Sequence, residues 1–189
     1  LKEVLKDDVF FRSSGGGVTL SGGEVLMQAP FARQFLTQLK HLGINTAIET
    51  AGDTSLTTFL ELAKQCDSIL FDLKIMDEER AKNLLNMHQP RVLRNFTRLI
   101  EEGIPLIPRV PLIPGYTLDV DNFQAILKFL APFKLPEIHL LPFHQFGEAK
   151  YRLLNRPYKM SDVVAPSEAE IEPIRQLAIK AGYRVITGG

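Results

Sequence analysis

Five places in this chain pair a short apolar run with groups that can hold charge. Residues 18–20 lead into Ser21-Gly22-Gly23-Glu24, and residues 46–48 lead into Glu49-Thr50. Residues 69–73 carry Asp72 and are followed by Lys74; residues 106–110 carry Arg109; residues 138–143 are followed by His144. A glycine pair beside a carboxylate lets a ligand approach the backbone closely and offers carbonyl oxygens to a cation. Asp72 and Lys74, two residues apart, share a face if the chain is extended. Together the groups describe a polar rim for a ligand with both cationic and anionic parts. Gathering such charges without a ligand or partners would cost on the order of several kcal/mol. Each also has a plainer reading. The glycines could form a tight turn, Asp72 and Lys74 a structural ion pair, and His144 could sit on a surface loop. His139, inside an apolar run, reads as a satisfied core histidine, and His41 and His88 carry no assignment.

These groups need a scaffold that delivers strand ends to one side. Apolar stripes at helical spacing supply half of it: Ala32, Phe35, Leu36 and Leu39; Leu56, Phe59, Leu60 and Ala63; Leu93, Phe96 and Ile100; Phe123, Ile126, Leu127 and Leu130; and Ile171, Ile174, Ala178 and Ala181. Between them lie strand candidates at 18–20, 46–48, 69–73, 106–110, 138–143 and 183–186. Several are nearly continuous in apolar character, which predicts strands covered on both faces. Gly43, Gly103 and Gly182 each follow a stripe and precede a strand, where a left-handed residue closes a helix. Repeated βα units give a parallel sheet, open or closed into a barrel, with ligands at the C-terminal strand ends. Pro105, Pro108 and Pro111 trouble the fourth strand, since each removes a backbone donor.

Composition sets the outer limits. The chain has 189 residues, 45% hydrophobic and 23% charged, with zero formal net charge. This predicts a single domain over residues 1–189 with a real core. It predicts no nucleic-acid partner, which would need a basic patch, and no membrane partner, since no apolar run reaches a membrane span. Cys66 is the lone cysteine. It permits no internal disulfide, fits a reducing, cytoplasmic compartment, and reads as a buried, inert thiol.

The motifs GGGVTLSGGEVLMQ, IETAG, ILFDLKIMD, VPLIPGYTLD and LLPFHQFGEAKY, in that order, resemble those of the activating enzymes of glycyl-radical enzymes, in particular the pyruvate formate-lyase type of the radical S-adenosylmethionine (SAM) superfamily. The resemblance runs over essentially the whole chain. It implies a partial (β/α)6 barrel that binds SAM and a 4Fe–4S cluster. It implies that Gly22, Gly23 and Glu24 receive the ammonium of the methionine part, with Glu24 adding negative character or holding the loop, while Gly15–Gly17 shape the entry to the strand. It further implies that Asp72, Leu73 and Lys74 contact SAM, Lys74 at the carboxylate; that His144 closes the site; and that Glu49 lies near the ammonium, where some members carry aspartate beside a monovalent cation. Arg109 matches an arginine near the site without a fixed role. No general acid or base and no metal ligand is expected among these residues.

By resemblance, the activity is reductive cleavage of SAM to a 5′-deoxyadenosyl radical that takes hydrogen from a backbone glycine of a partner such as pyruvate formate-lyase, with flavodoxin or ferredoxin supplying the electron. One departure stands out: the family's CxxxCxxC cluster motif is absent. With Leu1 in first place, the expectation is a C-terminal portion of a longer protein, lacking the first strand and cluster loop, inactive alone and prone to association along an open edge. Two other readings remain. Lys74 could form a Schiff base, although Asp72 nearby would favour the charged amine. The glycine loop could cradle a phosphate in a non-catalytic binding module, although Glu24 would repel it.

Overall fold

The computed structural model describes residues 1–188. Six strands form one sheet in chain order: β1 (Gly17–Leu20), β2 (Asn45–Thr50), β3 (Ser68–Asp72), β4 (Leu106–Leu112), β5 (Glu137–Pro142) and β6 (Arg184–Thr187). The pairings β1–β2, β2–β3, β4–β5 and β5–β6 are parallel. The helices are α1 (Asp8–Ser14), α2 (Ala29–His41), α3 (Leu56–Ala63), α4 (Glu78–Leu85), α5 (Gln89–Glu101), α6 (Val120–Leu130), α7 (Glu148–Leu153) and α8 (Glu168–Lys180). This is an α/β fold of the partial-barrel type. Every apolar run expected to be a strand is one. Helices α1, α4 and α7 escape the periodicity because they bury almost nothing: only Ala81 is buried in α4, and no residue in α1 or α7.

The chain divides into two compact units. The first comprises Leu1–Asp72 and Asp77–Pro108; the second comprises Leu73–Met76 and the chain from Arg109 onward. In the first, Ile48, Ile69 and Phe71 are fully buried with Leu36 and Leu39 of α2, Phe59 and Leu62 of α3, and Phe96 and Leu99 of α5. Phe71 stacks on Phe59 with ring centres 5.9 Å apart and meets Phe96 edge-on at 5.0 Å, geometries that add to simple burial. In the second, Val110, Leu112, Ile138 and Leu140 share a core with Phe123, Ile126 and Leu130 of α6 and Ile171, Ile174 and Ala178 of α8.

Two expectations need correction. Burial along β2, β3 and β5 alternates rather than running continuously. One face carries the apolar core, while the other is only half-buried because it carries Glu49, Asp72 and His139. In α5 the buried stripe is Val92, Asn95, Phe96 and Leu99. It is rotated from Leu93, Phe96 and Ile100, and a polar asparagine occupies a core position.

The helix-closing glycines behave as their placement predicts. Gly43, Gly103 and Gly182 have φ of +68°, +70° and +92°. After each, the next residue's N–H reaches back five residues: Ile44 to the Leu39 carbonyl, Ile104 to Leu99 and Tyr183 to Ala178, at 3.0–3.1 Å. Each pair joins two buried residues, so one device ends α2, α5 and α8 and aims β2, β4 and β6. Pro105 falls just before β4, where its carbonyl accepts from the Ile69 N–H at 2.9 Å, and Arg109, between Pro108 and Pro111, accepts from the Leu73 N–H at 2.8 Å.

Candidate functional site

In the first unit, β1 ends at Leu20 and the chain crosses Ser21–Glu24 into a 3-10 turn, Val25–Gln28. Gly22 has φ +109°, a conformation side chains rarely adopt. A Cβ on Gly23 would meet nothing within 4 Å, so the backbone there faces open space. Glu24 is committed to the protein itself. Its carboxylate accepts from the Leu26 N–H at 3.2 Å, the Thr50 hydroxyl at 2.6 Å and the Ala51 N–H at 3.0 Å. Thr50, itself 3% exposed, also accepts the Gly52 N–H at 2.9 Å. These contacts favour the loop-holding role for Glu24, tying the glycine loop to the end of β2. Glu49 accepts a hydrogen bond from the Ser21 hydroxyl, a second tie across the same gap. Asp72 closes β3 on the half-buried face.

The triple glycine serves β1. Gly15 takes φ +68° after α1, and its carbonyl accepts from the Asn45 side chain at 2.9 Å. A Cβ on Gly17 would lie 2.0 Å from the Asn45 carbonyl oxygen, so β1 meets β2 at a distance only glycine allows.

In the second unit, Leu73 is buried and its N–H donates to the Arg109 carbonyl. Asn122 of α6 clamps the residues that follow: its amide donates to the Lys74 carbonyl at 2.8 Å, and its oxygen accepts from the Met76 N–H at 2.9 Å. Asp119 caps α6 through the Asp121 and Asn122 amides, which orients Asn122. His144 is exposed. Its Nδ1 accepts from the Phe146 N–H at 3.3 Å, and its ring lies 4.2 Å from the Phe146 ring, leaving Nε2 to carry the proton of a neutral imidazole. Arg109 is buried on β4, in register with His139 of β5. His139 approaches Glu137 at 3.4 Å; it has a partner as expected, but it sits on the half-buried face of β5 rather than in the core. Arg184, and to a lesser degree His139, hold the Glu137 carboxyl below the usual carboxylate range.

Cys66 is buried, with Sγ 3.3 Å from the Ala63 carbonyl, and burial pushes its thiol up to about 12. It is no thiolate ligand at neutral pH. Among the described residues, no group of three or more His, Cys, Asp or Glu could hold a metal ion.

The sequence profile of the radical SAM superfamily matches residues 1–130. This chain belongs to the radical SAM superfamily. It is 55% identical to the pyruvate formate-lyase 2-activating enzyme of Escherichia coli (strain K12) over 188 residues, covering 100% of the chain and 64% of that relative. It is 34% identical to the trans-4-hydroxy-L-proline dehydratase activating enzyme of Clostridioides difficile, covering 100% of the chain and again 64% of the relative. The crystal structure of a domain of pyruvate-formate lyase-activating enzyme from Bacteroides vulgatus superposes with a TM-score of 0.73 at 29% identity, covering 92% of this chain and 99% of that one. The radical SAM chain therefore spans just under two thirds of the length of these curated relatives.

The superfamily works with SAM and a 4Fe–4S cluster. The described residues do not fit the cluster, because one neutral buried thiol cannot supply its thiolates. The glycine loop presents an open backbone face at Gly23, compatible with the close approach of a ligand such as SAM. Sequence reasoning missed Asn95 and Asn122 and gave Thr50 no role; all three are polar residues at buried positions that act as clamps. The signal available for Asn95 and Asn122 was a polar residue within an apolar stripe. Among the described residues, no helix is long and apolar enough to cross a membrane.

Proposed function

We propose that the whole protein activates a glycyl-radical enzyme of the pyruvate formate-lyase type. In this reading, SAM takes one electron and splits into methionine and a 5′-deoxyadenosyl radical. The radical takes a hydrogen atom from a backbone glycine of the partner, leaving 5′-deoxyadenosine and a glycyl radical. The observation that carries the reading is 55% identity, across the entire chain, to an activating enzyme of that name. Flavodoxin or ferredoxin as electron donor and a cytoplasmic setting complete the proposal.

The residues of this chain would bind and orient SAM. The backbone of Gly22 and Gly23 would take the ammonium, with Glu24 and Ser21 holding the loop and Glu49 adding negative charge beside it. Asp72 would accept from ligand donors. Lys74, a flexible point charge, would meet the carboxylate, with Leu73 contributing its backbone. His144 would donate from Nε2. Positioning is the protein's share of such chemistry, and a shift of about 1 Å can cost roughly a hundredfold in rate. Neither rival gains support: Glu24 sits in the loop where a phosphate would lie, and Lys74 belongs to a superfamily defined by SAM.

The test is anaerobic reconstitution of the intact protein with iron and sulfide, followed by reduction, SAM and pyruvate formate-lyase. Release of 5′-deoxyadenosine together with a glycyl-radical signal in electron paramagnetic resonance supports the reading. A reduced, cluster-loaded protein that leaves SAM intact overturns it.

A further inference from the structure

The loop after β2 is held from three directions. From below, Gly52 at φ +72° lies against Phe71, where an added Cβ would stand 2.3 Å from the ring. From the loop after β1, Glu24 takes the Ala51 N–H, and at the end of β2 Thr50 takes the Gly52 N–H. From α5, the Asn95 side chain donates to the carbonyls of both Gly52 and Thr54 at 2.8 Å. Arg91 Nε, one turn earlier, and the N–H of His88, the N-cap of α5, donate to the Asp53 carboxylate at 2.7 and 3.1 Å. Asn95 is 0% exposed, and its own Oδ1 is buried without a hydrogen-bond partner among the described residues. A buried acceptor left unmade is unfavourable. The stripe position would suit leucine better unless the two donated bonds matter.

We infer that Asn95 is a positioning residue for the glycine loop, acting through the loop after β2. Asn95 fixes Gly52 and Thr54. Gly52 and Ala51 then present their amides to Thr50 and Glu24, and Glu24 in turn fixes the backbone of Ser21–Glu24. The chain of contacts stands on the geometry alone; its consequence for SAM rests on the function proposed above. The helix that places Asn95 thereby sets the shape of a loop that follows a different strand.

The experiment measures amide hydrogen exchange and SAM affinity in the intact protein, comparing wild type with Asn95→Leu. Exchange at Ala51 and at Leu26, whose N–H is held by Glu24, is expected to quicken roughly tenfold, while Ile48 and Ile69 in the same core keep their protection. SAM affinity after reconstitution is expected to fall several-fold. Asp53→Ala, at a more accessible position, is expected to shift the same amides less and covers the case in which Asn95→Leu does not fold. Quickening confined to residues 52–54, with Leu26 unchanged, overturns the inference, as does a loosened loop with unaltered SAM affinity. If the wild type binds no SAM while Leu26 still responds, the SAM reading fails and the mechanical coupling stands.

Discussion

At the residue scale, the carboxylate that looked most available for a ligand is spent on the fold. Glu24 meets two backbone amides and a hydroxyl, so its place in the SGGE motif is explained by loop shape before any ligand is considered. Cys66 gives the opposite lesson: a chemically capable group rendered inert. Because its thiol is held up to about 12 from an ordinary 9.0, the unfolded chain loses this proton first as the pH rises. The native state therefore loses stability between about pH 9 and about pH 12 and gains nothing from this group below that window. Urea unfolding across that range should show an alkaline decline that is weaker in Cys66→Ala, after allowing for the small cavity. An identical decline in both proteins would mean that the thiol is not the titrating group.

At the element scale, three helices end in the same way, and their glycines differ in kind from those of β1. Gly103 needs only its positive φ, since an added Cβ there meets nothing. Gly103→Ala should cost about 1 kcal/mol through strain. Gly17 has ordinary φ but no room, since an added Cβ would stand 2.0 Å from the Asn45 carbonyl oxygen. Gly17→Ala should cost more than Gly103→Ala and should loosen β1 specifically, read as faster amide exchange in β1 with β3 unchanged. Equal losses for the two variants, spread evenly over the unit, would contradict this assignment.

At the scale of the whole molecule, the described part of β1 pairs with β2 alone, and large apolar side chains stand exposed in the same unit. Val9, Phe10, Met27 and Phe31 are 73%, 68%, 81% and 63% accessible. An open strand edge and exposed apolar side chains each invite association. The 189-residue chain is expected to sediment as larger species as its concentration rises, and Thr19→Lys, which charges the exposed β1, should reduce this. A monomer at every concentration in both proteins would show that the edge is protected.

The amino-acid sequence by itself determined the strands, the helices with apolar stripes, the three glycine closures and the family, because each is written in neighbouring residues or in contiguous motifs. It also associated each candidate group with its strand: Glu49, Asp72 and Arg109 within β2, β3 and β4, and Ser21–Glu24, Lys74 and His144 just beyond β1, β3 and β5. Only the tertiary structure decided what those groups touch. Glu24 reaches Ala51 27 residues away, Asn95 reaches Gly52 43 residues away, and Asn122 reaches Lys74 48 residues away. Local periodicity reports which face of an element is buried, and it blurred even that in α5. It carries no record of which distant carbonyl a buried amide will find, because that choice is made when the helices pack on the sheet.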